Sequence, residues 1–126
     1  MKLSEVAMKT RIRTEDEECY ALVAYLNLLQ SQKKILAYTH VPNETYIKSF
    51  AGRARRKALG MKVGFPDYII FTETGTVFIE MKREKGGVIS KEQEAWNTLL
   101  KYGFGRSAYI AHGFDHAKQI IDGEIA

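Results

Sequence analysis

The chain has 126 residues, 45% of them hydrophobic, which is enough to build the core of one compact domain over residues 1–126. Nineteen Lys and Arg against fifteen Asp and Glu give a net charge of +4, which is compatible with a polyanionic partner but does not establish one. The single cysteine, Cys19, excludes an internal disulfide and a metal-thiolate cluster. No apolar stretch approaches the roughly 20 residues of a transmembrane helix and no signal-peptide pattern opens the chain, so we expect a cytoplasmic protein that spans no membrane.

The first predicted element is a helix from about Glu15 to Ser31. Thr14 is a good N-cap, acidic residues follow it, and Thr14 with Glu17 matches a capping box. Apolar residues then recur at helical spacing, namely Cys19, Leu22, Val23, Leu26 and Leu29. Residues 35–41 are rich in β-forming side chains and stop at Pro42, which predicts a strand.

The next segment, from position 48 to position 62, is strongly basic and holds no acidic residue. We expect a helix over about 51–59, with Gly60 and Gly64 marking the turn into the next strand. A basic run is often only a solvated surface, but this one directly precedes an acidic motif, which favours contacts to nucleic-acid phosphates. The residues predicted to make these contacts are Lys48, Arg53, Arg55, Arg56, Lys57 and Lys62.

Two strand-like runs, residues 64–71 and 77–82, flank a short turn and predict a hairpin. Asp67 opens the first run, and alternation places Glu80 and Lys82 on one face of the second. Taken singly, Asp67 is a common turn residue and Glu80 with Lys82 is a plausible strand ion pair. Taken together, two carboxylates can hold a hard divalent cation and the ammonium can orient or deprotonate a water. This combination favours phosphodiester hydrolysis.

The remaining elements complete a mixed α/β order. Ser90 and Gln93 match a capping box at the start of a helix, and Gln93 is expected to point inward. A last strand near residues 109–111 and a helix over about 114–121 follow. The histidines His40, His112 and His116 form no zinc pattern. We expect four residues of the capped helix to face one way: Ala95, Trp96, Leu99 and Leu100.

These motifs resemble the PD-(D/E)xK nuclease superfamily and, within it, the VRR-NUC family of virus-type replication-repair nuclease domains. The resemblance covers nearly the whole chain and implies a restriction-endonuclease-like α/β core, with a central mixed β-sheet flanked by helices. It is carried by Gly64-Phe65-Pro66-Asp67, by Ile79-Glu80-Met81-Lys82, by the run from Gly86 to Gln93, and by Trp96, Leu99 and Gly103.

The resemblance also implies roles for the motif residues. Asp67 and Glu80 correspond to metal-binding carboxylates, the backbone carbonyl of Met81 is a further expected ligand, and Mg²⁺ or Mn²⁺ is the expected cofactor. Lys82 corresponds to the catalytic lysine. Gln93 corresponds to a glutamine that aligns the attacking water or the lysine.

The first helix of such a fold is expected to supply another catalytic carboxylate, and Glu15 and Glu18 are both candidates. Glu15 is favoured because family members commonly have a Glu four residues before a Gln on this helix. In this sequence the later position is Cys19, which departs from the pattern.

The family further implies a metal-dependent endonuclease for DNA repair in a bacterial or phage-infected cell. Short members are expected to act as homodimers on branched DNA, including four-way (Holliday) junctions. Two other functions stay open: a non-catalytic DNA-binding domain on the same fold, and a sequence-specific restriction-type endonuclease. The intact Asp67, Glu80 and Lys82 favour an enzyme.

Overall fold

The computed structural model describes residues 11–42 and 48–126, and shows four strands and flanking helices in the predicted order. A π-helical turn over Leu99–Gly103 continues the third of these helices. In chain order the elements are α1 (Glu15–Ser31), β1 (Ala37–His40), α2 (Phe50–Ala58), β2 (Tyr68–Thr72), β3 (Gly75–Lys82), α3 (Lys91–Thr98), β4 (Ser107–His112) and α4 (Phe114–Ile125). Among the described residues, no helix has the length and apolar character needed to cross a membrane.

The four strands form one mixed sheet in the order β1-β2-β3-β4. The β1–β2 and β2–β3 pairs are antiparallel, whereas β3 and β4 are parallel. His40 pairs with Tyr68, Tyr68 with Ile79, and Lys82 with His112. Strands β1, β3 and β4 therefore finish, and β2 begins, at the same end of the sheet. We call this the site end.

Helix α1 has the bounds that its sequence predicts, because its first turn is capped locally. The Glu17 N–H donates to Thr14 Oγ1, and the Thr14 N–H donates to Glu17 Oε1, both at 3.2 Å. The predicted apolar stripe faces inward, fully buried at its leucines and half-buried at Cys19 and Val23, and it joins the core formed by one face of the sheet and α4. Core members include Leu22, Leu26 and Ile79.

The opposite face of the sheet carries a smaller aromatic cluster. The ring of Phe65 lies edge-on against Phe78 at 5.9 Å and against Trp96 of α3 at 5.0 Å, measured between ring centroids. Since side chains alternate along β3, Ile79 lies in the main core while Phe78 and Glu80 lie on the side covered by α3. The charged side chains of β3 are thus placed where α3 can contact them.

One prediction about α3 is wrong. Ala95 and Leu99 are exposed, whereas Trp96 is half-buried and Leu100 is buried. The reason is the narrowness of the buried face: successive helical residues are rotated by about 100°, so Trp96 and Leu100, four residues apart, share one face, while Ala95 and Leu99 share the neighbouring, exposed one. The inward direction of Gln93 is confirmed by its contact with β3.

Candidate active site

Asp67 lies next to the end of β3. The Tyr68–Ile79 pairing sets residues 67 and 80 side by side, and Asp67 Oδ2 accepts a hydrogen bond of 2.8 Å from the Met81 N–H. Asp67 is therefore more than a local turn residue, since its carboxylate joins the start of β2 to the end of β3.

Glu80 is a buried carboxylate with one oxygen left unmatched. Glu80 is only 4% exposed. Its Oε1 accepts a hydrogen bond of 2.7 Å from Gln93 Nε2. Oε2 is buried without a hydrogen-bond partner. Burial, and then the charge of Asp67, raise the pKa of Glu80 well above its usual range. An unmatched buried anion is costly, so this position favours a cation.

Lys82 brings a nearly buried ammonium group to the same place. Its Nζ lies 3.8 Å from Glu80 Oε1 and 3.9 Å from Glu15 Oε1. The ion pair expected between Glu80 and Lys82 is present, but both distances exceed those of direct hydrogen bonds. The ammonium is held between two carboxylates by charge and keeps donor capacity for a further acceptor.

The structure separates the two candidate carboxylates of α1. Glu15 lies beside Lys82, as described above. Glu18 is buried beside the residue that follows β4, where its Oε1 accepts a hydrogen bond of 3.2 Å from Arg13. A Cβ atom on Gly113 would come within 2.5 Å of Glu18 Oε2, so Glu18 packs directly on this glycine. The geometry thus places Glu15, and not Glu18, with Lys82; its catalytic role stays a prediction.

Cys19 occupies the helix position where the family pattern has a glutamine. Its thiol lies close to the side chain of Tyr68, and burial raises the pKa of the thiol to about 12. A thiol of this kind stays protonated near neutral pH. Cys19 therefore replaces the expected glutamine with a small, neutral contact to β2.

Gln93 makes two contacts with opposite ends of its amide group. Oε1 accepts a hydrogen bond of 2.9 Å from the Ser90 N–H, which completes the predicted capping box. Nε2 donates to Glu80. Because the cap needs the oxygen to face Ser90, the NH₂ group must face the carboxylate. Capping and support of Glu80 are thus properties of one side chain.

The loop before Asp67 is packed tightly against the start of α3. A Cβ on Gly64, which has φ +86°, would lie 2.6 Å from the carbonyl carbon of Glu92 and 2.7 Å from the Gln93 nitrogen. Nearby, Trp96 Nε1 donates a hydrogen bond of 3.2 Å to the Val63 carbonyl. The sequence marked Gly64 only as a turn residue; its second function is to let the Asp67 loop approach α3.

Two carboxylates and one main-chain oxygen form the candidate metal site. The Met81 N–H points towards Asp67, and N–H and C=O groups of one strand residue point to the same side, so the Met81 carbonyl faces Asp67 as well. Within residues 11–42 and 48–126, no three His, Cys, Asp or Glu side chains form a group arranged to hold a metal ion. The fit therefore depends on Asp67, Glu80 and the Met81 carbonyl, and the unmatched Glu80 Oε2 supports it.

His40 is a neighbour of the site to which the sequence assigned no role. Burial raises the pKa of Asp67, while the Met81 N–H and the nearby His40 and Lys82 act in the opposite direction. The His40 ring lies 5.1 Å from the ring of its strand partner Tyr68. Only the register of β1 and β2 reveals this proximity.

The basic segment projects from the site end, because it connects the end of β1 to the start of β2. No residue of α2 is buried. Arg53 Nη1 donates a hydrogen bond of 3.1 Å to the Lys48 carbonyl, and Arg56 is half-buried. The side chains that lie most exposed are those of Lys48, Arg53, Arg55, Lys57 and Lys62.

Comparison with solved structures shows a likeness in fold. No protein-family model matches the sequence, and no curated protein matches it. Among solved structures, a chain described as a VRR_NUC domain protein superposes with a TM-score of 0.68. The alignment covers 90% of this chain and 88% of the other, at 23% sequence identity. The predicted nuclease-like α/β architecture is confirmed, and the chain has the fold of a VRR_NUC domain.

Proposed function

We propose that the protein is a nuclease that hydrolyses DNA phosphodiester bonds with the help of Mg²⁺ or Mn²⁺. One observation carries the proposal: the buried Glu80 carboxylate has an oxygen without a partner, next to Asp67 and the ammonium of Lys82. A buried carboxylate oxygen without a hydrogen-bond partner is destabilising, and such groups are concentrated at functional sites. The VRR_NUC fold supports the same conclusion.

The metal ligands in this proposal are Asp67, Glu80 and the Met81 carbonyl. Ligands that are all oxygen suit Mg²⁺ or Mn²⁺ better than softer metals. When bound, the ion would act as a Lewis acid towards the phosphate and lower the pKa of a coordinated water.

The other side chains position and support these groups. Gln93 holds Glu80 through a hydrogen bond, so the carboxylate has one orientation before substrate arrives. Lys82 orients the attacking water or stabilises the charge that develops on the phosphate. Glu15 keeps the Lys82 ammonium in place through its charge, and completes the site directly or through a water.

The finer parts of the proposal concern the substrate and the assembly. The basic segment at the site end holds six cations and no acid, which supports contacts to the DNA backbone without sequence readout. We propose branched DNA, including four-way junctions, as the substrate in DNA repair. We also propose a homodimer, since two-fold symmetry would bring two active sites to two strands.

Cleavage of labelled linear duplex, flap and four-way-junction DNA in Mg²⁺, Mn²⁺ or EDTA tests the proposal. Wild-type protein should cut the branched substrates only with metal. Asp67→Asn and Lys82→Met should each lose cleavage by about 1,000-fold or more while still binding DNA. Lys85→Met is the matched control, because Lys85 is an exposed lysine three residues further along the chain, and it should cut normally.

Other outcomes identify other functions. Tight binding without cutting in either metal would overturn the enzyme and leave a DNA-binding domain on this fold. Cutting of linear duplex at one fixed sequence would identify a restriction-type endonuclease. Sedimentation of the protein with and without junction DNA measures the oligomeric state, and a monomer in both would contradict the dimer.

A further inference from the structure

A small apolar pocket opens beside the candidate active site, and the mechanism above does not use it. Its volume is about 290 Å³. It lies between the end of β1, the segment that follows α2, the loop before Asp67, and α3. It is lined by Val41, Pro42, Met61, Lys62, Phe65 and Trp96.

The aromatic walls of this pocket are held in place by the rest of the fold. The Trp96 indole is fixed by its hydrogen bond to the Val63 carbonyl. Phe65 lies edge-on to Trp96 at an interplanar angle of 77° and is supported from behind by Phe78. Met61 lies at the mouth and is 48% exposed. A pocket with fixed walls binds a flat ligand without a large ordering cost.

The size and chemistry of the pocket select the occupant. Its volume lies below the range typical of sites for drug-sized ligands, so it suits one ring system. Its walls are apolar and aromatic, and among the lining residues that the structure describes Lys62 is the one charged side chain. A nucleobase with its attached phosphate matches this combination, because the base stacks on aromatic groups and the phosphate pairs with a cation. The basic segment that ends at Lys62 supplies further positive charge for the adjoining backbone.

We infer that this pocket binds one unpaired nucleobase of the DNA strand held at the active site. The inference rests on the proposed function and names its substrate class: DNA with an unpaired nucleotide next to the scissile bond. A base inside a duplex is stacked and paired, and must be extruded before it can enter such a pocket. Flaps, gaps and junctions present such a base at lower cost, so the pocket gives preference for branched DNA without sequence readout.

Trp96 is the only tryptophan of the chain and reports directly on the pocket. The full-length protein is titrated in EDTA with duplex DNA that carries a short single-stranded flap. A second DNA has abasic positions in the flap, and therefore the same charge without the bases. Stacking should quench the Trp96 fluorescence only with the complete flap, and the abasic flap should bind about 5-fold more weakly.

Met61→Ala removes one wall with little risk to the fold, since the side chain is half-exposed. It should abolish most of the preference for complete over abasic flaps and lower the cleavage of flap DNA by a similar factor. Leu28→Ala is the matched control. Leu28 is 49% exposed and lies thirteen residues along α1 from Glu15, about 20 Å away at helical rise.

The possible results separate this inference from the proposed function. Equal quenching and equal affinity for complete and abasic flaps would overturn the base pocket, even if metal-dependent cleavage is intact. Base-dependent quenching without cleavage in any metal would support the pocket and overturn the nuclease. A Leu28→Ala effect equal to that of Met61→Ala would also overturn the pocket, because the preference would then reflect general destabilisation.

Discussion

The end of β3 and the helix α2 are both central to the proposed function, yet they are built in opposite ways. At the end of β3, Glu80 and Lys82 are 4% and 7% exposed and are surrounded by supporting groups. In α2 no residue is buried. Catalytic groups must hold one geometry away from bulk water, where their electrostatic effect is large. Cations that bind a nucleic-acid backbone work in solvent, through charge.

The two regions also differ in how they are stabilised. The charges near the end of β3 are tolerated because main-chain and side-chain contacts position them, including the Met81 N–H, Gln93 and Glu15. Helix α2 relies on local features. The Gly52 N–H donates to Ser49 Oγ at 3.0 Å, and cations in the last turn complement the helix dipole. Substitutions at the end of β3 should therefore change both protein stability and the catalytic rate, whereas substitutions in α2 should mainly change the affinity for DNA.

Two glycines allow a direct comparison of how much a close contact contributes to stability. Gly60 and Gly64 both have φ near +80°, but a Cβ on Gly60 meets nothing within 4 Å, whereas one on Gly64 meets the backbone of α3. Gly64→Ala should lower the free energy of unfolding by about 3 kcal/mol or more, and Gly60→Ala by about 1 kcal/mol. Chemical denaturation measures both. Equal losses would show that the contact between the Asp67 loop and α3 carries no energy.

Gln93→Glu should reduce kcat on DNA by about 100-fold, because the side chain can no longer donate to Glu80 and adds a repelling charge. The capping oxygen is kept, so the N-cap of α3 should be retained. Gln93→Ala loses the cap and the donor together and should also lower the melting temperature. Exposed Glu94 on the same helix provides the control Glu94→Gln. Full activity of Gln93→Glu would show that Gln93 caps the helix and does not support Glu80 in catalysis.

Neutralising Arg55 and Lys57 together should weaken DNA binding by about 10-fold and lower the salt dependence of binding by up to two counterions. The melting temperature and the rate at saturating DNA should not change. The control is the double substitution of Lys33 and Lys34 by Ala. It removes the same charge just after the C-terminus of α1, at the opposite end of this helix from Glu15. A lower rate at saturating DNA would show that α2 takes part in catalysis, and would contradict the separation of catalysis at β3 from DNA binding at α2.

Glu80→Gln should abolish metal-dependent cleavage and yet stabilise the metal-free protein. Burial raises the pKa of Glu80, so its contribution to stability is complete below the pKa of the unfolded chain and is lost as pH rises through the folded value. The variant should equal wild type near pH 4 and exceed it by on the order of 1 kcal/mol at pH 8 in EDTA. Added Mg²⁺ should raise the melting temperature of wild type only. A less stable variant at pH 8 would contradict the cost assigned to the Glu80 charge.

Much of this protein was determined by its sequence alone, because the signals are local. The bounds of α1 follow from Thr14, Glu17 and the apolar stripe behind them, and the hairpin follows from two β-rich runs with a turn at Gly75. The metal-ligand and lysine candidates are recognisable by spacing because Asp67 and Glu80 need only adjacent strands to meet.

Other features were decided by the tertiary structure. Which of Glu15 and Glu18 lies beside Lys82, the two contacts of Gln93, the proximity of His40 and the pocket beside Trp96 all depend on groups far apart in the chain. Local propensities act over a few residues and specify helix caps, turns and the spacing of apolar residues along a helix or strand. Strand register and the packing of α1 and α3 on the sheet are set by the whole core, so only the folded chain shows which side chains meet.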